Sequence, residues 1–185
     1  MEIRLTPIDE ISIDLLKTWH NDVHIKAAIM GFRFPIQSKS IEDWLESNRK
    51  DNGINRVSFG IKANDQPVGI VSLNDIDYIN SRAMLGLYIG SKSENNKGIG
   101  TTAATIILDF AFNGIGLNRV GLEVINNNLN AIRVYTKIGF VKEGTKRKYY
   151  FSNGKYLDVN CMSILRSEFI VDLSKMKNRI VYDTF

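Results

Sequence analysis

The sequence predicts one mixed α/β domain, a mostly antiparallel sheet of about seven strands with helices on both faces. Three observations carry that expectation. Three apolar runs follow one another closely between residues 57 and 89, as strands of a meander do. Helical periodicity precedes them and twice interrupts the strands that follow, which calls for crossover helices. The 185 residues are 44% hydrophobic and 24% charged, with no internal repeat, low-complexity tract or Pro- or Ser-rich linker to divide them. Residues 1–185 therefore read as one domain, with a core over 2–168 and a C-terminal helix and tail over 169–185.

Each element has its own local signal. Glu2 to Leu5 alternates polar and apolar residues ahead of Pro7, as a short first strand would. From Asp9 to Ile29 the pattern is helical, with Ile13, Leu16, Trp19, Val23 and Ala27 recurring every three or four residues. Gly31 and Pro35 then make a loop of 31–37, and Ser38 or Ser40 is placed to cap a helix running through Arg49 on Ile41, Trp44 and Leu45. Val57–Lys62 and Val68–Leu73 flank the turn-forming residues 64–67 and predict a hairpin, with a third strand over Ala83–Ile89. Gly98 opens a helix facing inward through Ile99, Ala103, Ile106, Ile107 and Phe110. A strand at Val120–Ile125, a helix at Asn128–Ile138, and strands from Phe140 and over Tyr156–Leu165 complete the core, the last two joined by a turn at 152–155. Arg166–Met176 reads as a terminal helix and the remaining residues as a loose or docked tail.

Composition narrows the classes of function. A net charge of +4 is too diffuse to mark a nucleic-acid binder, and no apolar run approaches the ~20 residues that span a membrane. The N-terminal residues carry no basic and apolar leader pattern, so a soluble cytoplasmic setting is expected. Cys161, the one cysteine, can form no internal disulfide and reads as a small buried apolar residue. The dense basic run Lys142–Lys148 reads as a solvated face or as one side of a groove for an anion.

The most informative junction is the strand ending at Ile89, then Gly90-Ser91, then residues 93–101, SENNKGIGT. A polar loop with glycines at 98 and 100 leads into a helix whose first amides and dipole make a seat for a pyrophosphate. Both glycines let a phosphate approach the backbone, while Lys97 and the amides of Asn95 and Asn96 add donors. The pattern is not a nucleotide-triphosphate loop. Nor is it a full dinucleotide fingerprint, because Ala103 stands at the last glycine position.

Downstream, Asn128-x-x-Ala131-x-x-x-Tyr135-x-x-x-Gly139-Phe140 falls on the helix at 128–138. Together with the loop Asn95-Asn96-Lys97-Gly98-Ile99-Gly100-Thr101, this motif resembles the GNAT N-acetyltransferases, over about residues 2–168. Trp19-His20-Asn21-Asp22 through Pro35-Ile36 to Trp44, Glu143-Gly144-Thr145, and Tyr149–Val159 with Met162 resemble the branch holding ribosomal-protein N-terminal, spermidine and nucleotide-amino-sugar acetyltransferases. The resemblance implies a GNAT-like fold, acetyl-CoA as acetyl donor, no metal, and transfer to a primary amine by direct attack on the thioester. It implies that residues 95–101 hold the pyrophosphate, with Asn95 where Gln or Arg is usual. It implies that the splayed strand edge Leu87-Tyr88-Ile89 and Asn128 bind the pantetheine arm, that Ala131 lets the coenzyme pack close, and that Tyr135 is the general acid at the sulfur. The chemistry agrees, since the departing thiolate needs a proton and a phenol within hydrogen-bond reach supplies one.

The base and the acceptor are less marked. Met84 stands where several relatives carry a Glu, which leaves Asp75, Asp77, His20, His24 or a water chain, with both histidines in a polar helical stretch that reads as surface. Asp75 and Asp77 flank Ile76 at strand spacing and so share a face, on which they could bind substrate. In the loop after the first helix, Arg33 between Phe32 and Phe34 suits an anionic or stacking acceptor. That favours a nucleotide-linked amino sugar or a peptide N-terminus over spermidine, the alternatives being a polyamine acetyltransferase or a non-catalytic acyl-CoA sensor. No nucleic acid or membrane partner is expected, and a homodimer is left open.

Overall fold

The computed structural model describes residues 1–31, 34–90, 92–94, 96–170 and 178–181. Eight strands form one sheet: β1 (Glu2–Pro7), β2 (Val57–Ala63), β3 (Gln66–Asp77), β4 (Arg82–Ile89), β5 (Arg119–Ile125), β6 (Val141–Ser152), β7 (Lys155–Leu165) and β8 (Arg179–Val181). Their spatial order is β6-β7-β5-β4-β3-β2-β1-β8, antiparallel except at β4–β5 and β1–β8. The β2–β3 hairpin turns at Asn64 and Asp65, both at positive φ, and the β6–β7 hairpin turns at Asn153 and Gly154 in the same way. Such turns match the twist of the strands they join.

Among the described residues five α-helices cover the sheet: α1 (Ile13–Asn21), α2 (Val23–Ala28), α3 (Ser38–Asp51), α4 (Ile99–Asp109) and α5 (Leu129–Ile138). α4 is buried nearly all round, its Thr102 and Thr105 included, and lies at the centre of the larger core with Ile99, Ala103, Ile106 and Ile107 in one cluster with Leu5, Phe59, Val71, Leu85 and Val120 of the strands. It runs on into a π turn at Phe110–Gly114 that carries the fully buried Phe112. α5 adds Tyr135 and Ile138 to this core. The opposite face holds a second cluster, in which Leu16 and Trp19 of α1, Ile25 of α2, and Ile41 and Leu45 of α3 pack on Ile70 of β3.

Four local expectations are corrected. The helix expected over 9–29 is two helices, because Asp22 is extended (ψ 127°) and its carboxylate accepts from the amides of His24 and Ile25, starting α2 afresh. The break turns the apolar face, so Ile25 is buried while Val23 and Ala27 are exposed. α3 begins at Ser38 after Gln37, which makes no side-chain cap; the Ser38 hydroxyl instead accepts from Lys17. The expected terminal helix is one 3-10 turn at Arg166–Glu168, its remainder from 171 lying outside the described residues, and the tail supplies the eighth strand. There the buried Asn178 donates to the Thr102 hydroxyl (3.1 Å) and the Lys97 carbonyl (3.4 Å).

The basic run lies on edge strand β6 and is mostly exposed, as a solvated face is. Cys161 is half-buried in β7. No helix among the described residues is long and apolar enough to cross a membrane.

One sheet irregularity creates the site. β4 and β5 pair only from Arg82 to Met84 against Arg119 to Gly121. Beyond that the strands diverge, β5 staying paired with β7 and β4 with β3. The edge of Leu87-Tyr88-Ile89 that faces β5 is thereby released from the ladder, and its amides and carbonyls become available to a ligand.

Candidate active site

Two cavities meet in this split. The first, about 400 Å³, is lined by Leu87–Gly90, by Asn96 and Gly98–Thr101 at the start of α4, and by Asn128, Ala131 and Tyr135 on α5. The second, about 680 Å³, lies on the face covered by α1 and α3 and is lined by His20, Trp44, Arg56, Asn74, Asp75 and Glu123 among others. Leu87, Tyr88, Asn128, Ala131 and Tyr135 line both.

The first cavity is built largely of backbone. Gly98 caps α4 at φ 82°, a left-handed conformation that favours glycine, and no side chain caps the helix. The amides of Ile99, Gly100 and Thr101 are the orphan donors of the first turn, aimed where an anion would sit. The side chain of Ile99 turns into the core, so its contribution is the amide alone. Gly90, at the end of β4, lies under the indole of Trp19, and a Cβ there would stand 2.2 Å from the ring. Lys97 is not among the lining residues: its ammonium pairs with Glu94 (2.9 Å), a carboxylate that does line the cavity and whose charge the pair offsets. Asn95 lies outside the described residues. His24 and Arg133 also line this cavity, a placement the sequence did not mark.

Asn128 ties the two walls together. Its oxygen accepts from the Ala131 amide (3.2 Å) as the cap of α5, and its NH₂ donates to the Ala28 carbonyl at the end of α2 (2.9 Å). The neighbouring Ile29 carbonyl accepts from the Tyr150 hydroxyl (3.4 Å). The end of α2 thus bridges the trench where the cavities join. Tyr135, three residues beyond Ile132 on the inward face of α5, is buried, and burial pushes its phenol up to about 12. Among the described residues its hydroxyl makes no hydrogen bond, which leaves it free to donate to a ligand in the split.

The second cavity is built of side chains. His20 is 1% exposed, contrary to the surface position expected, and bonds through Nε2 to the Tyr88 hydroxyl (2.8 Å). Burial lowers its pKa to about 4, so the ring is neutral at physiological pH, while burial raises that of Tyr88. Trp44 meets the His20 ring edge-on at 5.7 Å. Met84 lines the floor and holds its sulfur against Gly121.

Asp75 and Asp77 do not share a face. A bulge with Asp75 at φ 51° separates them. Asp75 lines the cavity from an exposed position, whereas Asp77 is spent on the β3–β4 turn, accepting from Asn80 and Arg82. Phe32 and Arg33 lie outside the described residues, and Phe34 is exposed. Glu123 was missed. It lines the cavity from β5, level with Gly86 across the split, and pairs with Lys146 of β6. Its signal was a lone carboxylate inside the apolar run Val120–Ile125.

A split sheet with a backbone anion seat at one end, a side-chain pocket at the other and a buried phenol between them is the layout of an enzyme that brings an extended, anion-bearing coenzyme to a second substrate.

The comparisons name the family. Residues 2–141 match the model of the acetyltransferase (GNAT) domain. A spermidine N(1)-acetyltransferase of Vibrio cholerae is 32% identical over 146 residues, 77% of this chain and 83% of that one. A Bacillus subtilis protein provisionally named a ribosomal N-acetyltransferase is 31% identical over 128 residues, 69% and 68% of the two chains. The crystal structure of the Vibrio cholerae spermidine N-acetyltransferase with CoA and spermine superposes with a TM-score of 0.80 at 26% identity, covering 90% of this chain and 96% of that one. The chain belongs to the GNAT acetyltransferase family and is an acetyl-CoA-dependent N-acetyltransferase. Among the described residues no group of three His, Cys, Asp or Glu side chains is arranged to hold a metal.

Proposed function

We propose that the enzyme acetylates a primary amine by direct attack on the thioester, with Tyr135 as general acid. The observation that carries this is the Tyr135 hydroxyl, unengaged among the described residues, on a side chain that lines both cavities. The orphan amides of α4 and the released edge Leu87–Ile89 would hold the coenzyme, with Asn128 and Ala131 against its arm. The amine enters from the second cavity as the free base and forms the amide bond as the C–S bond breaks. Its nitrogen gives up a proton and the sulfur takes one, for which Tyr135 is the donor. A phenol held up to about 12 keeps its proton throughout the neutral range. Glu123 is the cavity carboxylate nearest in register to this junction, and we assign it the ammonium's proton; Asp75 sits farther off, at the mouth.

The acceptor is read as a nucleotide-linked amino sugar or a peptide N-terminus, in a cytoplasmic setting. A polyamine is the second reading, favoured by the spermidine acetyltransferases among the relatives and by the two carboxylates of the cavity. The test is thiol release from acetyl-CoA against polyamines, amino sugars, nucleotide-linked amino sugars and peptide amines. Release with one class identifies the acceptor; tight acetyl-CoA binding with no release on any amine would overturn the reading.

A further inference from the structure

One group in the second cavity has no part in this chemistry. Arg56 stands one residue before β2 and lines the cavity half-buried. Its Nε is closed off from solvent without a hydrogen-bond partner, and among the described residues its side chain forms neither a hydrogen bond nor an ion pair. Its neighbours do not answer for it. His20 is neutral and bonded to Tyr88, Glu123 is held by Lys146, and Asp75 makes no ion pair with it across the adjacent strand. A permanent cation with an orphaned buried donor is costly to maintain in a pocket that does nothing with it.

We propose that Arg56 receives a phosphate on a small-molecule acceptor, so that the enzyme prefers anion-bearing amines to polyamines. The inference rests on reading this cavity as the acceptor site. A guanidinium presents parallel donors that fit a phosphate in two bonds at once. A polyamine requires the opposite arrangement, carboxylates spaced for several ammonium groups with no fixed cation among them. Here the fixed cation is Arg56, and one of the two carboxylates is already neutralised.

Sheet register also sizes the acceptor. Arg56 precedes Val57, which is level with Leu73 and Leu85. Its Cα therefore lies two strands across and three residues back from Leu87, roughly 14 Å away on standard strand spacing. Even with the arginine side chain extended towards Leu87, the anion and the reacting nitrogen are set several bonds apart, which favours an acceptor larger than a free α-amino acid. A cavity of about 680 Å³ is the size of a small-molecule site. An amino sugar carried on a nucleoside diphosphate meets both conditions.

The test compares wild type, Arg56→Ala and Arg56→Lys in thiol release with four acceptors: a nucleoside-diphosphate amino sugar, the same amino sugar without its nucleotide, a peptide amine with an acidic side chain, and spermidine. Wild type is expected to favour the first. Arg56→Ala raises its KM roughly 10- to 100-fold, leaves its kcat and the KM for acetyl-CoA within about twofold, and erases the advantage over the nucleotide-free sugar. Arg56→Lys, which keeps the charge without the fork, falls between. A wild-type preference for spermidine, an Arg56-dependent preference for the acidic peptide, or an equal loss on every acceptor overturns the proposal. Calorimetric titration of uridine diphosphate in the presence of saturating coenzyme A gives a readout without turnover. Binding weakened by Arg56→Ala upholds the phosphate seat even if no amine is acetylated, and absence of binding to wild type defeats it.

Discussion

The two ends of the split sheet are made of different material. At the end proposed to hold the coenzyme, the groups on offer are main chain: an uncapped helix start, a glycine at positive φ, and a strand edge released from its ladder. At the end proposed for the acceptor they are side chains on α1, α3 and the strands β2, β3 and β5, with Arg56 just ahead of β2. Main-chain donors depend on the fold and on the absence of a Cβ, so they tolerate change at most other positions. A pocket of side chains can be altered one residue at a time while the fold stands. One half is suited to a constant partner and the other to a variable one, as coverage of many acceptors by a single fold requires.

Substitutions at the junction and in each half separate these contributions. The largest effect is expected at the junction. Tyr135→Phe should lower kcat by roughly 10²- to 10⁴-fold, the usual scale of general-acid catalysis, with the calorimetric Kd for acetyl-CoA nearly unchanged. Unchanged turnover would remove the general-acid assignment.

Next comes the acceptor half and its buried imidazole. His20 titrates at about 4 in the fold against 6.5 when unfolded, so below 6.5 the unfolded chain binds the additional proton. Stability is fully present above about 6.5 and is lost as pH falls through 4, by about 3 kcal/mol in total. Denaturant unfolding across that window should show the slope, and His20→Gln should flatten it.

In the coenzyme half, Gly98→Val should weaken acetyl-CoA binding by roughly tenfold or more, since a branched side chain disfavours the left-handed cap and crowds the phosphate seat. Equal affinity in the variant would refute that seat. The smallest effect is expected at the tie between the halves: Asn128→Ala removes the cap of α5 and the bond to Ala28, costing about 1 kcal/mol in chemical unfolding.

The same contrast governs what was legible in the sequence. Periodicities of two and 3.6 revealed most of the strands and helices, because apolar faces must repeat wherever an element meets the core. The break at Asp22 was hidden because Ile13, Leu16, Trp19, Val23 and Ala27 keep helical spacing straight through it. β8 was hidden because three residues pair with a strand more than 170 positions away, which no local pattern records.

In the site, the glycines of the α4 loop and the α5 motif could be read because backbone recognition is written in consecutive residues. The acceptor wall could not. His20, Trp44, Arg56 and Glu123 come together only through the sheet order, and the bulge at Asp75 reversed the face that alternation assigned to it. His20 looked solvated beside Asn21 and Asp22, yet it closes the pocket under Trp44 and Tyr88.

The bond from Asn128 to Ala28 has a kinetic meaning. It joins the end of α2 to the start of α5 where the two cavities meet, so on the proposed reading donor and acceptor occupy neighbouring cavities and neither must leave before the other enters. Tyr135 lines both cavities. If the proposed direct attack holds, that layout calls for a ternary complex rather than an acyl-enzyme relay, with simultaneous occupancy, not sequential visits to one nucleophile, as the condition for turnover.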